Sequence, residues 1–209
     1  MIRSSSAVPV RPDAPAGGRP GRRWVPTGLV ALVMTVTVVG GFVTAETLPR
    51  PEVRPVSLGG ALTIRPLPGW EVVRRERTTV PLPPGGVISA EFAQLTRGSG
   101  ALDLLALPSL GGGALELADL YAGEVLIRQL ERLSVSEQVE RILLPSGLEA
   151  VRFGYIGSEP RSGAAVEGSV TVAVAPSGNG AVFDGWAFRG QLELISEELT
   201  WMIDRAEVD

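Results

Sequence analysis

Hydrophobic and polar positions divide the chain into stretches of different character. Trp24 to Ala45 runs for 22 residues without a charge, bounded by Arg23 and Glu46, and its heart GLVALVMTVTVVGGFV is apolar on every side. About 20 residues rising ~1.5 Å each cover the ~30 Å hydrocarbon core of a bilayer, so the pattern predicts a transmembrane helix over 24–45. Trp24 stands where an interfacial aromatic would. The competing expectation is a cleaved signal peptide, because Val43-Thr44-Ala45 reads as a small-residue cleavage site with Glu46 as the new N-terminus. The 23 residues before the run are long for a signal peptide, which favours the retained anchor. Residues 1–23 combine Ser4-Ser5-Ser6, Gly17-Gly18 and four prolines without an apolar period, the pattern of a disordered tail. Over 46–57, Pro49, Pro51 and Pro55 space a polar stretch into a semi-rigid stalk.

From Leu58 onward apolar and polar positions alternate, which predicts strands over 61–67, 71–74, 87–96, 101–107, 138–144, 148–156, 166–175 and 181–189. Pro66 makes the first of these an edge strand at best. The run Val80-Pro81-Leu82-Pro83-Pro84-Gly85-Gly86 is expected to be irregular. Arg97-Gly98-Ser99-Gly100, Pro145-Ser146-Gly147 and Pro176 to Gly180 read as hairpin turns. Two segments change period. Leu115, Ala118, Ala122, Leu126, Leu130 and Leu133 recur in steps of three and four, predicting a helix over 114–133, and Leu192, Ile195, Leu199 and Met202 predict another over 191–206. Hairpin-length connections make the sheet antiparallel. The fold class expected is therefore α+β: a mainly antiparallel sheet of about six to eight strands flanked by helices, preceded by one transmembrane helix, with the folded domain over 58–209.

Charge adds direction to this picture. All 19 basic residues are arginine, as in translations of GC-rich genomes such as the actinobacterial ones. Residues 1–26 hold five arginines against Asp13, whereas residues 27–209 hold the other 14 against 22 acids. The positive-inside rule then sets the N-terminus in the cytoplasm and the C-terminal domain outside it, giving a cell-membrane protein. The absence of cysteine and histidine excludes disulfides, lipid attachment through cysteine, Cys/His zinc sites and imidazole-based catalysis. A net charge of −4 argues against nucleic acid as a partner.

Few residues invite a chemical reading. Glu116, Asp119, Glu124 and Glu131 form a carboxylate set, but Arg128 and Arg132 lie among them, as on a solvated helix surface. Asp103 interrupts Leu102 and Leu104-Leu105 in an apolar strand; it marks either the solvent side or a buried carboxylate with a raised pKa. Gly111-Gly112-Gly113 precedes a helix without the lysine or spacing of a phosphate loop. Trp70, Trp186 and Trp201 are expected as core anchors, with Arg205 placed to stack on Trp201. No catalytic, cofactor-binding or metal-binding residue is assigned, and no cofactor is expected.

The element order, opened by LTIRPLPGWEVV with Pro68-Gly69-Trp70 and closed by GAVFDGWAFRG running into the last helix, resembles the PsbP-like α/β/α sandwich superfamily, its actinobacterial envelope members above all. The resemblance covers about Val56 to Val208 and implies a binding or assembly module without chemistry of its own. The function expected is a single-pass, membrane-anchored extracytoplasmic module with a protein or cell-envelope partner and no catalysis. The alternatives are a small-ligand carrier with a cavity between sheet and helix, or a secreted protein after cleavage near Ala45.

Overall fold

Alternation is carried through the central strands so that one row of side chains faces each side of a large sheet. The computed structural model describes residues 54–82 and 85–209. In chain order the elements are β1 (Val56–Leu58), β2 (Leu62–Ile64), β3 (Glu71–Leu82), β4 (Gly86–Arg97) and β5 (Gly100–Leu107). A helical rod follows, made of α1 (Ala114–Leu120), a π-helical stretch (Tyr121–Leu126) and a last turn, α2 (Ile127–Gln129). Then come β6 (Glu131–Val135), β7 (Glu140–Leu143), β8 (Glu149–Ser158), β9 (Ala165–Val174), β10 (Gly180–Phe188), α3 (Glu193–Asp204) and β11 (Glu207–Val208). The large sheet has eight strands in the order β3-β4-β5-β10-β9-β8-β6, with β7 also on β8. A second sheet of three strands runs β1-β2-β11. Every pairing among the described residues is antiparallel.

Each face of the large sheet has its own core. One face sets Leu102, Leu104 and Phe183 beneath Leu199, Met202 and Ile203 of α3 and beside Leu58, Leu62 and Ile64 of the small sheet. The other sets Leu105, Val182, Val170 and Phe153 beneath Leu117, Ala118, Tyr121 and Leu126 of the rod. Strand glycines let the helices sit close: a Cβ at Gly185 would stand 2.5 Å from Leu199 Cδ1, and one at Gly180 2.7 Å from Leu117 Cδ2. Burial of the large apolar side chains on these faces stabilises by roughly 1.5–3 kcal/mol each.

The α+β expectation of a sheet flanked by helices is corrected: the domain is mainly antiparallel β, an eight-stranded sheet plus a three-stranded one, with only short helices. The predicted span 24–45, like the tail and most of the stalk, lies outside the described residues, and no helix among the described residues is long and apolar enough to cross a membrane. The helix expected over 114–133 stops at Gln129 because Leu130 turns extended (φ −123°, ψ 143°) and the next residues pair along the free edge of β8. Its buried stripe also shifts. The π turn holds Tyr121 and Leu126, five apart, on the inner side, while Leu115 is 42% exposed. In the run expected to be irregular the described residues pair instead, with Pro81 opposite Val87 and Leu82 opposite Gly86. Proline is tolerated there because β3 is an edge strand, which has one side free of ladder hydrogen bonds.

Candidate binding cleft

The two central strands are each interrupted by one carboxylate, and the register brings the two together. Asp184 of β10 lies directly opposite Asp103 of β5, both on the face beneath the rod. Asp184 is fully buried. Its Oδ2 accepts a hydrogen bond from the Tyr121 hydroxyl at 2.8 Å and its Oδ1 one from Tyr155 at 2.9 Å. Tyr121 is delivered by the π stretch. Tyr155 belongs to β8, two strands away, and lies across β9 where Gly168 leaves room; a Cβ on Gly168 would stand only 2.3 Å from Tyr155 Cζ. Asp103 is only partly buried. It accepts from Gln94 Nε2 of the neighbouring strand at 2.8 Å and from Trp186 Nε1 at 3.2 Å.

Burial sets the protonation of this cluster. Desolvation pushes the Asp184 carboxyl up to about 7, with the Asp103 charge adding to it and the two tyrosine hydroxyls opposing. Desolvation likewise lifts Asp103 to about 6 against the lowering effects of Gln94, Trp186 and the more distant Arg74. Burial, then the neighbouring Asp184, raises the Tyr121 and Tyr155 hydroxyls far above their ordinary value, so both remain donors. Two facing carboxylates whose pKa values are split in this way titrate as a pair.

Asp103 is also where two open clefts meet between the sheet and the rod. One, ≈ 400 Å³, is walled by the inward row of β3 (Arg74, Glu76, Thr78) and by Glu124 and Arg128 of the rod. The other, ≈ 700 Å³, is walled by Tyr155, Trp186, Phe188 and Arg161. Arg74, Phe92 and Gln129 border both, and the Arg74 guanidinium lies over the Phe92 ring at 5.5 Å.

The sequence-level candidates are dispersed differently. Asp103 is a buried-side carboxylate, not a solvent-side one. Glu116 turns back to accept from the Gly113 N–H at 3.2 Å, and a Cβ on Gly112 would stand 2.5 Å from its Oε2, so the carboxylate of α1 itself fills the glycine loop. Glu124 pairs with Arg128 at 2.6 Å, and Glu131 sits in β6. No group of three or more acidic residues converges on a possible metal position among the described residues. Trp70 is a core anchor whose Nε1 donates to Glu198 at 2.8 Å. Trp186 is half-buried in the cleft wall, and Trp201 is 38% exposed beneath the Arg205 guanidinium, 4.1 Å from its ring centroid. Asp184, Tyr121 and Tyr155 escaped sequence reasoning. The signal for Asp184 was the one that singled out Asp103: an acid set in an apolar run, Val182-Phe183-Asp184.

Fold and cleft together define an antiparallel β domain with an open, mixed polar and apolar groove over a buried carboxylate pair. No family model matches the chain, and no curated protein is similar to it. Among solved structures it is similar to PA94, a protein of unknown function from Pseudomonas aeruginosa, at 14% identity and a TM-score of 0.38, over 73% of this chain and 94% of that one. A likeness at that level carries no functional argument.

Proposed function

We propose that residues 54–209 form a binding module without catalysis of its own, held at the outer face of the cell membrane by the apolar segment 24–45, and that a partner protein enters the cleft above Asp103. The observation that carries this reading is the cleft itself. It is open, lies between the sheet and a short helical rod, and mixes guanidinium, carboxylate, amide and aromatic groups, as the rim of a protein interface does. Each carboxylate oxygen beneath it accepts a hydrogen bond from a donor of the same chain, which suits a rigid floor better than a reacting group. The likeness to PsbP-like envelope domains belongs to this proposal. A second reading, a small-ligand carrier, draws on the aromatic wall of Tyr155, Trp186 and Phe188 and on volumes within the ~300–1,000 Å³ range of ligand pockets.

Photo-crosslinking in native membranes tests the proposal. A photoreactive side chain at Gln129, on the cleft rim, is expected to give a discrete protein adduct, and one at Ser146, in the exposed β7–β8 turn, none. Equal labelling from both positions, or none from Gln129, would remove the partner reading. Quenching of Trp186 fluorescence by a small envelope metabolite, with no protein adduct, would establish the carrier instead.

A further inference from the structure

The charges along the two clefts do not cancel. Beside Asp103, their walls hold three arginines (Arg74, Arg128, Arg161) and three glutamates (Glu76, Glu124, Glu159). Arg74 is held by Glu76 and Arg128 by Glu124, each at 2.6 Å, and Arg161 follows Glu159 by two residues in the loop after β8. What is left over is negative: Asp103 on the floor, with Asp184 opposite it. Neither forms an ion pair among the described residues. Asp103 accepts one neutral donor on each oxygen, Gln94 at 2.8 Å and Trp186 at 3.2 Å. An ionised carboxylate has about four acceptor sites, so Asp103 keeps capacity unused where it borders the clefts. A buried carboxylate without a countercharge is unfavourable, and burial accordingly lifts Asp103 to about 6 and Asp184 to about 7, so the pair retains a proton close to neutral pH.

The walls select the kind of cation that could take the place of that proton. Phe92, Tyr155, Trp186 and Phe188 line the larger cleft, and Phe188 is 43% exposed. Aromatic rings attract a cation and also cover an aliphatic stem. A guanidinium fork is met best by a carboxylate with both oxygens open, whereas both oxygens of Asp103 already carry a donor. An ammonium is a point charge on a flexible stem and needs only one open acceptor position.

We propose that Asp103 seats an alkylammonium group, the end of a lysine side chain that the partner protein inserts into the ≈ 700 Å³ cleft. The inference rests on the partner-binding reading and names the group recognised. The lysine stem lies along Trp186 and Phe188, its ammonium donates to Asp103, and the proton held by the carboxylate pair leaves to solvent. Arg74 is the internal competitor, and it is engaged twice, by the Glu76 carboxylate and over the Phe92 ring.

The test uses the full chain in detergent micelles and N-acetyl-lysine methylamide, with the norleucine and arginine analogues as controls. The readout is the Trp186 indole N–H resonance, which Trp186→Phe identifies. The lysine compound is expected to shift that resonance and to bind at least about ten-fold more tightly than the uncharged norleucine one, and more tightly than the arginine one. Its affinity should fall as salt rises. It should also be about ten-fold lower at pH 5 than at pH 8, because only the ionised form of a group near 6 receives the ammonium. Asp103→Asn should abolish the shift, and Gln129→Arg, an exposed change on the rim, should weaken binding at an unchanged thermal midpoint. Equal binding of the lysine and norleucine compounds, preference for arginine, no binding, tighter binding at pH 5, or a shift confined to the Trp201 indole would overturn the proposal. Were the Gln129 adduct to persist in Asp103→Asn while the lysine compound failed to bind, the ammonium site would be refuted and the partner reading kept. Binding of the lysine compound with no adduct from Gln129 would overturn the partner reading and reassign the site to a free amine.

Discussion

Asp184 shows how much one position fixes. It lies between two tyrosine hydroxyls and opposite a second carboxylate, and the pair makes a pH dependence calculable in sign. Native pKa values of about 6 for Asp103 and about 7 for Asp184 stand above the ordinary 3.8, so the folded state binds more protons than the unfolded one. Stability therefore falls as pH rises from about 4 to 7, with a slope of up to about 1.4 kcal/mol per pH unit for each group. Glu198 acts oppositely: slight burial pushes it up, but Trp70 and Arg97 hold it below its ordinary 4.5, so its contribution is lost as pH falls below that value. Thermal unfolding across pH 4–8 should show the midpoint dropping toward pH 8. In Asp184→Asn that slope should flatten, and an unchanged slope would place the titration elsewhere. Gly168→Ala drives the Tyr155 ring off Asp184 and is expected to cost about 1–3 kcal/mol by overpacking and loss of that hydrogen bond, read by chemical denaturation.

At the scale of elements, α3 and β11 act together. Leu199 and Met202 are buried beneath the helix and Leu192 and Ile195 partly so, on a sheet face that Gly100 and Gly185 keep low. Leu199→Ala should cost about 2–5 kcal/mol in an equilibrium unfolding curve. Truncation after Gly190 also removes β11, which pairs with β2 and completes the small sheet, and the Asp209 N–H that donates to Ala61 O at 3.1 Å. With whole domains stable by only about 5–15 kcal/mol, the truncated chain is expected to be unfolded by circular dichroism and near-UV absorbance. A sharp, unshifted melt would mean that the helix is dispensable. The hairpin turns at 97–100 and 145–147 were legible because glycine and proline chemistry is local. The helix end at Gln129 was not, because Leu130 and Leu133 continue the helical period and only the free edge of β8 draws them into a strand.

For the whole molecule, the expectation is a spectrum dominated by strand, since the two sheets hold most of the regular structure among the described residues. The proposed attachment makes a separate prediction. If segment 24–45 holds the chain in the membrane, alkaline carbonate washing leaves it in the pellet at full mass, whereas a mature N-terminus at Glu46 would identify a secreted protein.

Sequence by itself located most of the strands of the large sheet, most turns and the apolar stripe of the last helix, though not β1, β6, β11 or the second half of β3, because alternation, helical period and turn residues are properties of neighbours along the chain. It also singled out Asp103, though not its side of the sheet. Only the tertiary structure decided that β1, β2 and β11 form a sheet of their own, since residues 62–64 and 207–208 are separated by nearly the whole domain. Only register placed Asp184 opposite Asp103, and only the gap at Gly168 let Tyr155 reach across β9. The physical reason is common to all three. Which strand edge is free, which residue lies opposite, and how much water is displaced are set by contacts between distant segments, and burial, which raises both carboxylates, exists only once those segments meet.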